Sequence, residues 1–143
     1  MFGTLVLVAV AALSGFHPAP KANAKPGTIV KTASSDYGEI LFSGSDRAIY
    51  RFDRESSSTP RCYGPCAQAW PPVLTKGRPR ARRATDASLL GVTKRSDGSK
   101  QVTYKGRPLY YYVNDPSGQA YCHNVTEYGG LWAVVQPSGE PVS

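Results

Sequence analysis

The feature that most constrains this chain of 143 residues is a pattern that recurs at an interval of 60 positions. The stretch 47–52, Arg-Ala-Ile-Tyr-Arg-Phe, is followed at that interval by 107–112, Arg-Pro-Leu-Tyr-Tyr-Tyr. Chance rarely aligns an Arg and several aromatic or apolar residues in this way, so the sequence predicts an internal duplication. Further matches are Gly38 with Gly98, Glu55 with Asp115 and, two positions off the interval, Trp70 with Trp132.

The second copy has the pattern of an antiparallel meander. Asp97-Gly98 is a strong two-residue hairpin signal and predicts a strand on either side of it. Lys105-Gly106 predicts the next tight turn, which places Val102 opposite Leu109 on one sheet face. Pro108 lacks an N–H group and therefore indicates a sheet edge or a strand start.

The first copy repeats this pattern with different turn residues. A turn over 36–38 and a second at Ser45-Asp46 predict three strands, with Phe42 opposite Ile49. A single meander of this size is marginally stable, whereas two can close over one core. We therefore predict an all-β domain in which two duplicated antiparallel meanders form a sandwich or barrel with pseudo-two-fold symmetry.

Each meander is followed by a segment that carries a Trp residue. In the first copy Pro65 suits the first turn of a helix and Pro71 must end it, which predicts one helical turn at 65–69. A basic, Pro- and Gly-containing stretch then joins the copies and predicts an exposed loop. The predicted organisation is a signal peptide at 1–24, a first repeat at 28–74, a basic linker loop at 75–88 and a second repeat at 89–138.

The N-terminal stretch has the pattern of a secretory signal peptide. An apolar run from Leu5 to Leu13 is followed by Ala22-Asn23-Ala24, which supplies the small residues that signal peptidase requires. The run has no Lys or Arg before it, and an uncleaved anchor is the alternative. Removal of Lys21 with this segment lowers the formal charge from +7 to +6. Export places the protein in the extracytoplasmic cell envelope, where disulfides persist.

Several motifs resemble one bacterial family of secreted repeat proteins, whose members are also described as predicted lipoproteins. Residues 50–55 and 110–115 resemble its paired Y-x-[FWY]-x-x-D motif, and residues 62–72 resemble its C-x3-C-A-x-x-W-P-P segment. The similarity extends over residues 38–138. It implies an exported, largely β protein with no established biochemical role. Glu55 departs from the motif Asp, and no Cys follows the apolar run to carry a lipid.

The paired motifs have a structural and a functional interpretation. Each motif places two aromatic side chains on one strand face, where they either pack in the core or form a platform for a sugar ring or a cation. We expect core packing, with the acidic residues capping backbone N–H groups in the turns that follow. The motif residues are Tyr50, Phe52 and Glu55 in the first copy, and Tyr110, Tyr112 and Asp115 in the second.

Three cysteines leave more than one pairing open. Cys62 and Cys66 are one helical turn apart, so a disulfide between them is the favoured expectation. A bridge from either one to Cys122 and a reduced pair used in redox or metal chemistry are the alternatives. Cys122 and His123 offer a thiolate and an imidazole, which suit copper or zinc if a loop over 118–130 brings them to one ion.

The sequence contains none of the common catalytic signatures. One His remains after export, so no Ser-His-Asp set is evident, and neither H-E-x-x-H nor a phosphate-binding Gly-rich loop occurs. We expect a non-enzymatic binding or structural module without a cofactor, and the alternative is a redox or copper/zinc protein. Its positive charge suits an anionic wall polymer or a membrane surface, whereas no nucleic-acid-binding motif is present. The candidate contacts are Arg78, Arg80, Arg82 and Arg83.

Overall fold

The computed structural model describes residue 3, residues 8–15 and residues 25–143. The predicted cleavage site at 22–24 lies outside the described residues, so the signal peptide remains a prediction. None of the helices in the described ranges has the length and apolar character needed to cross a bilayer. The strands are β1 Ile29–Ser35, β2 Gly38–Ser43, β3 Tyr50–Phe52, β4 Arg80–Arg82, β5 Leu90–Lys94, β6 Lys100–Tyr104, β7 Arg107–Pro108, β8 Val125–Glu127 and β9 Gly130–Val134, with α1 at Pro65–Ala69 and a 3-10 turn at Ala87–Leu89.

Three small sheets build the domain. One sheet has the order β2-β1-β4 and comes from the first half, and a second has the order β5-β6-β7 and comes from the second half. The third sheet, β3-β9-β8, combines strands from both halves. The predicted all-β fold with two related meanders is confirmed, as is the helical turn, which coincides with α1.

The predicted strand register is right in the second half and wrong by one residue in the first. The Leu109 N–H donates to the Val102 carbonyl at 3.0 Å, as predicted. The Ile49 N–H donates to Leu41 rather than pairing with Phe42, which lies opposite Ala48. A one-residue slip of this kind moves each side chain to the other face of the strand.

Two turns of unequal length cause this shift. Ser43 and Arg47 pair around a three-residue turn in which Asp46 has a φ of 66°. The equivalent turn in the second half is the tight Lys105-Gly106 pair. The first hairpins differ in the opposite sense, because Ser35 pairs directly with Gly38, whereas the Arg95 N–H donates to Ser99 across three residues. The first half thus has a two-residue turn followed by a three-residue turn, and the second half has them in the reverse order. The two length differences cancel, so equivalent residues after the second turn are again 60 positions apart.

The two halves interlock rather than pack as separate units. Tyr50 and Tyr110 exchange two backbone hydrogen bonds, of 2.8 and 3.0 Å, at the position of the pseudo-two-fold axis. The Leu41 N–H donates to Val135 of the second half at 2.9 Å, and the Val102 N–H donates to Val73 of the first half at 2.8 Å. Each Trp-bearing segment is therefore hydrogen-bonded to the hairpin of the other half.

An aromatic stack fills the space between the halves. The Trp70 and Trp132 rings are parallel, with centroids 4.1 Å apart, and Phe52 stacks on the far side of Trp132 at the same spacing. Tyr112 closes the other end of the stack against Trp70 at 4.9 Å. Both indole N–H groups donate to Glu127, one to its carboxylate and one to its carbonyl. Two fully buried indoles are thus packed and hydrogen-bonded together.

Two segments predicted as loops contain strands. Within the basic linker, β4 pairs in parallel with the outer edge of β1, and the Arg80 N–H donates to Thr28 at 2.9 Å. Within residues 118–130, β8 pairs with β9. Each of these strands has only three residues, which is too short to show an alternating β pattern in the sequence. Each is held by backbone hydrogen bonds to a longer neighbouring strand.

The chain approaches itself very closely where it enters β1. A Cβ atom on Gly27 would lie 1.6 Å from the Arg78 carbonyl oxygen, and one on Gly77 would lie 2.0 Å from that of Lys25. Only glycine permits this contact. The crossing fixes the start of the described domain against the segment that leads into β4.

Replacement of Trp132 by Ala tests the central stack. The change removes the ring between Phe52 and Trp70, and we expect a loss of about 3–5 kcal/mol in the free energy of unfolding because a large cavity opens in the core. Urea unfolding measures the loss. Tyr121→Ala is the control, since 64% of Tyr121 is exposed and the expected change is within about 0.5 kcal/mol. Equal effects of the two changes would contradict the proposed packing.

Candidate functional site

The acidic residues of the two motifs are bound by the tyrosines of the opposite copy. The Tyr50 hydroxyl donates to Asp115 and the Tyr110 hydroxyl donates to Glu55, each at 2.5 Å. Each carboxylate also accepts a backbone N–H six residues further along, from Tyr121 at 3.0 Å and from Arg61 at 2.7 Å. The expected capping of backbone groups therefore occurs, but beyond the predicted turns. The bonds from the tyrosines of the opposite copy were not predicted from the sequence.

Burial closes these pairs to a ligand. Tyr50, Tyr110 and Glu55 are at most 1% exposed. Burial and the neighbouring carboxylates raise the pKa of both tyrosines, so their hydroxyls remain protonated donors. The motif aromatics lie in the core, except that Tyr112 is half-buried at the end of the stack. None of them forms an open platform for a sugar or a cation.

The Glu55 side of the molecule contains an additional polar network. Arg95, which is 6% exposed, donates to the Cys62 carbonyl at 2.6 Å and to Gln101 at 2.8 Å. Gln101 in turn donates to Leu109 at 2.7 Å. One oxygen of Glu55, Oε1, has no hydrogen-bond partner among the described residues. Burial raises the pKa of Glu55 to about 7, against its two hydrogen bonds and the nearby arginines.

The favoured disulfide is confirmed. Cys62 and Cys66 are joined with a Cα–Cα distance of 5.2 Å, and Cys122 is free. The bridge ties the segment before α1 to the helix, whose C-cap residue is Trp70. Cys122 lies 60 positions after Cys62, and Thr126 occupies the place that corresponds to Cys66. The second half thus lacks the bridge because one of its two cysteines is absent.

The disulfide and the placement of His123 weaken the metal hypothesis. His123 Nδ1 accepts the Val134 N–H at 3.1 Å, and its ring contacts Tyr37 with centroids 4.4 Å apart. Burial and nearby carboxylates raise the pKa of the Cys122 thiol, which disfavours the thiolate that a metal requires. No group of three or more His, Cys, Asp or Glu residues suited to a metal ion occurs in the part of the chain that the structure describes.

The basic segment forms one wall of a groove. The chain before β1 and the chain through β4 enclose a volume of about 510 Å³, and four cationic side chains line it: Lys25, Arg78, Arg80 and Arg82. All four are exposed. Arg83 does not line this groove, because its guanidinium donates to the Thr32 carbonyl at 3.2 Å. Lys25 is a groove residue that the sequence analysis did not identify, since its position depends on the crossing at Gly27.

The described part of the chain is thus an interlocked β repeat with a short disulfide, a closed aromatic centre and a cationic groove. A family model described as a secreted repeat of unknown function matches residues 31–74 and 91–136, one region in each half. The chain belongs to this family, and the protein is accordingly a secreted one. Comparisons with curated proteins and with solved structures gave no match.

Glu55 makes stability depend on pH in a defined direction. Its pKa is near 4.5 when solvated and about 7 in the fold, so between these values the native state holds a proton that the unfolded state has lost. This contribution to stability is complete below pH 4.5 and is lost as the pH rises through about 7. We expect Glu55→Gln, which cannot ionise, to remove this decline.

Urea unfolding at a series of pH values measures the effect as the difference between wild type and variant. The pKa of Asp115 is also raised and that of His123 is lowered, but both groups titrate in both proteins. Their contributions to the pH dependence of stability therefore cancel in that difference. Glu39→Gln, at an exposed position of β2, is the matched control and should run parallel to wild type. If the stability of Glu55→Gln also followed the wild-type dependence on pH, the assignment of the pH-dependent decline to Glu55 would be wrong.

Thiol counting tests the cysteine assignment. Without reductant, we expect one thiol per chain to react with Ellman's reagent after unfolding, and all three after reduction. The native protein should react slowly, because Cys122 is half-buried and its pKa is raised. Cys122→Ser should give no reactive thiol before reduction. Three thiols in the unreduced protein would restore the redox and metal alternatives.

Proposed function

We propose that this secreted protein is a non-enzymatic module of the cell envelope that binds an anionic wall polymer. The observation that carries the proposal is the groove in which Lys25, Arg78, Arg80 and Arg82 converge from two chain segments. Charge of this kind attracts polyanions and steers their association. The rigid interlocked fold behind the groove would hold the four cations in place before the polymer arrives, which lowers the entropic cost of binding.

The groove cations are exposed, and Arg82 donates one hydrogen bond within the fold, to the adjacent Ala81 carbonyl at 3.1 Å. The ion pairs of the described residues are Lys31 with Asp46 and Lys105 with Glu140, both outside the groove. The nearest carboxylate in sequence, Asp86, accepts the N–H and hydroxyl of Ser88. Arg80 and Arg82 are two residues apart on one strand and therefore project from the same face. This arrangement suits a chain in which anionic groups repeat.

A wall polymer is favoured over a flat membrane surface by the shape of the site. The cationic groove adjoins a second cavity of about 570 Å³, and the two share Pro26 and Gly27. Leu74, which is 47% exposed, and Lys100 belong to the second cavity. The combined surface would follow an extended polymer, with cations along one part and aliphatic contact along the other.

Neutralisation of the groove tests the proposal. We expect a variant with Arg78, Arg80 and Arg82 all changed to Gln to lose cosedimentation with purified bacterial cell walls, because three of the four groove cations are removed. The control is a variant with Arg54, Lys94 and Lys105 changed to Gln, which loses the same charge at exposed positions outside the groove. It should bind as wild type does.

Three further conditions sharpen the result. Wild-type binding should disappear in about 1 M NaCl, where the screening length is about 3 Å. It should also disappear for walls from which the anionic polymers have been extracted with acid. Binding that persists in high salt and in the groove variant would overturn the proposal, and so would binding to vesicles of anionic phospholipid in preference to walls.

A further inference from the structure

A second cleft lies at the far end of β1, where the first hairpin meets the loop that precedes Cys122. It has a volume of about 300 Å³, at the small end of the range for ligand pockets. β1 has seven residues, so the cleft and the cationic groove are separated by about 20 Å along the strand. The cleft is lined by Ser34, Ser35, Asp36 and Tyr37 from the hairpin and by Gly118, Gln119 and Ala120 from the loop.

The hairpin side of this cleft is held by hydrogen bonds and a ring contact. The Ser35 hydroxyl donates to the Gly38 carbonyl at 2.8 Å and accepts the Tyr37 N–H at 3.0 Å, which fixes the turn. The Tyr37 ring rests on His123 with centroids 4.4 Å apart and is 36% exposed. An aromatic ring is therefore held at the cleft with part of its surface open to solvent.

The polar groups around this ring are not used within the fold. The side chains of Ser34, Asp36 and Gln119 make no hydrogen bond with any other described residue. Because His123 Nδ1 accepts the Val134 N–H, the proton of its neutral ring is on Nε2. Burial lowers the pKa of His123 and so favours that neutral form. A hydroxyl, a carboxylate and an amide thus line the same cleft as a partly exposed aromatic ring, and they offer donors and acceptors to a ligand.

This end of the first hairpin lacks contacts that the equivalent hairpin of the second half makes. Arg95 holds the place of Ser35 in the second half, with its guanidinium on the Cys62 carbonyl and against the Tyr63 ring at 4.3 Å. The Tyr63 hydroxyl also accepts the Ser96 N–H there. Ser35 is too short to make the equivalent contacts in the first half. The duplicated hairpin is therefore braced in one copy and lined by free polar groups in the other.

We propose that the cleft binds one ring of an uncharged saccharide. A sugar ring has an apolar C–H face that suits the Tyr37 ring, and its hydroxyls match the free Asp36 carboxylate and Gln119 amide. The Asp36 carboxylate disfavours an anionic ligand, and the polar lining disfavours an apolar one. The site is thus distinct in ligand chemistry from the cationic groove, and its test does not depend on that groove.

Titration of the isotope-labelled full chain with defined saccharides tests this site. The probes are N-acetylglucosamine and its tetramer, maltotetraose and mannotetraose, each at millimolar concentration in about 1 M NaCl, which screens the cationic groove. We expect at least one probe to shift the backbone amide signals of residues 34–37 and 118–120. Tyr37→Ala and Asp36→Ala should each weaken that binding by about tenfold, since each removes one main contact.

Matched controls separate loss of the site from loss of the fold. Tyr128→Ala removes another exposed tyrosine, in the turn between β8 and β9, and should bind the saccharide as wild type does. The variant with Arg78, Arg80 and Arg82 changed to Gln should also retain saccharide binding. The proposal is overturned if no probe moves the cleft amides, if the shifts lie in the cationic groove, or if Tyr37→Ala binds as tightly as Tyr128→Ala.

Discussion

The backbone pairing of Tyr50 with Tyr110 across the pseudo-two-fold axis is the interaction on which the rest of the fold depends. It places the two motifs side by side, so that each tyrosine hydroxyl reaches the carboxylate of the other copy. The same pairing brings Trp70 and Trp132 face to face. Neither half could satisfy its own motif carboxylate or cover its own indole. The duplication is therefore a structural requirement, because one copy completes the core of the other.

The two candidate binding sites, the cationic groove and the cleft beside Ser35, lie where the two halves differ. The outer edge of β1 is covered by β4, which brings the arginines into a groove, whereas no strand among the described residues covers the outer edge of β5. The second half keeps Arg95 buried, and the first half has Ser35 in its place beside an open cleft. The central residue pairs, Tyr50 with Tyr110 and Trp70 with Trp132, are of the same residue type in both halves because they hold the fold together. The periphery differs because little packing constrains it there.

Local sequence signals predicted much of the fold. The interval of 60, the turn at Lys105-Gly106 and the position of Pro65 led to the correct fold class, the second-half register and helix α1. The pairing of Phe42 with Ile49 was wrong because a constant interval concealed two turn differences that cancel. Strands β4 and β8 were missed because each is defined by backbone bonds to a distant partner. A three-residue strand of that kind has no periodicity of its own to detect.

The sequence by itself determined the duplication, the spacing that allows the Cys62–Cys66 bridge, and the aromatic and acidic residues of each motif, because turn chemistry and residue periodicity act over short distances. Only the tertiary structure decided which partners these residues meet. Tyr110 binds Glu55, Lys25 lines the same groove as the arginines, and Tyr37 lines the same cleft as Gln119, although the members of each set are more than fifty residues apart in the chain. Interlocking of the halves sets those distances, and no local pattern encodes it.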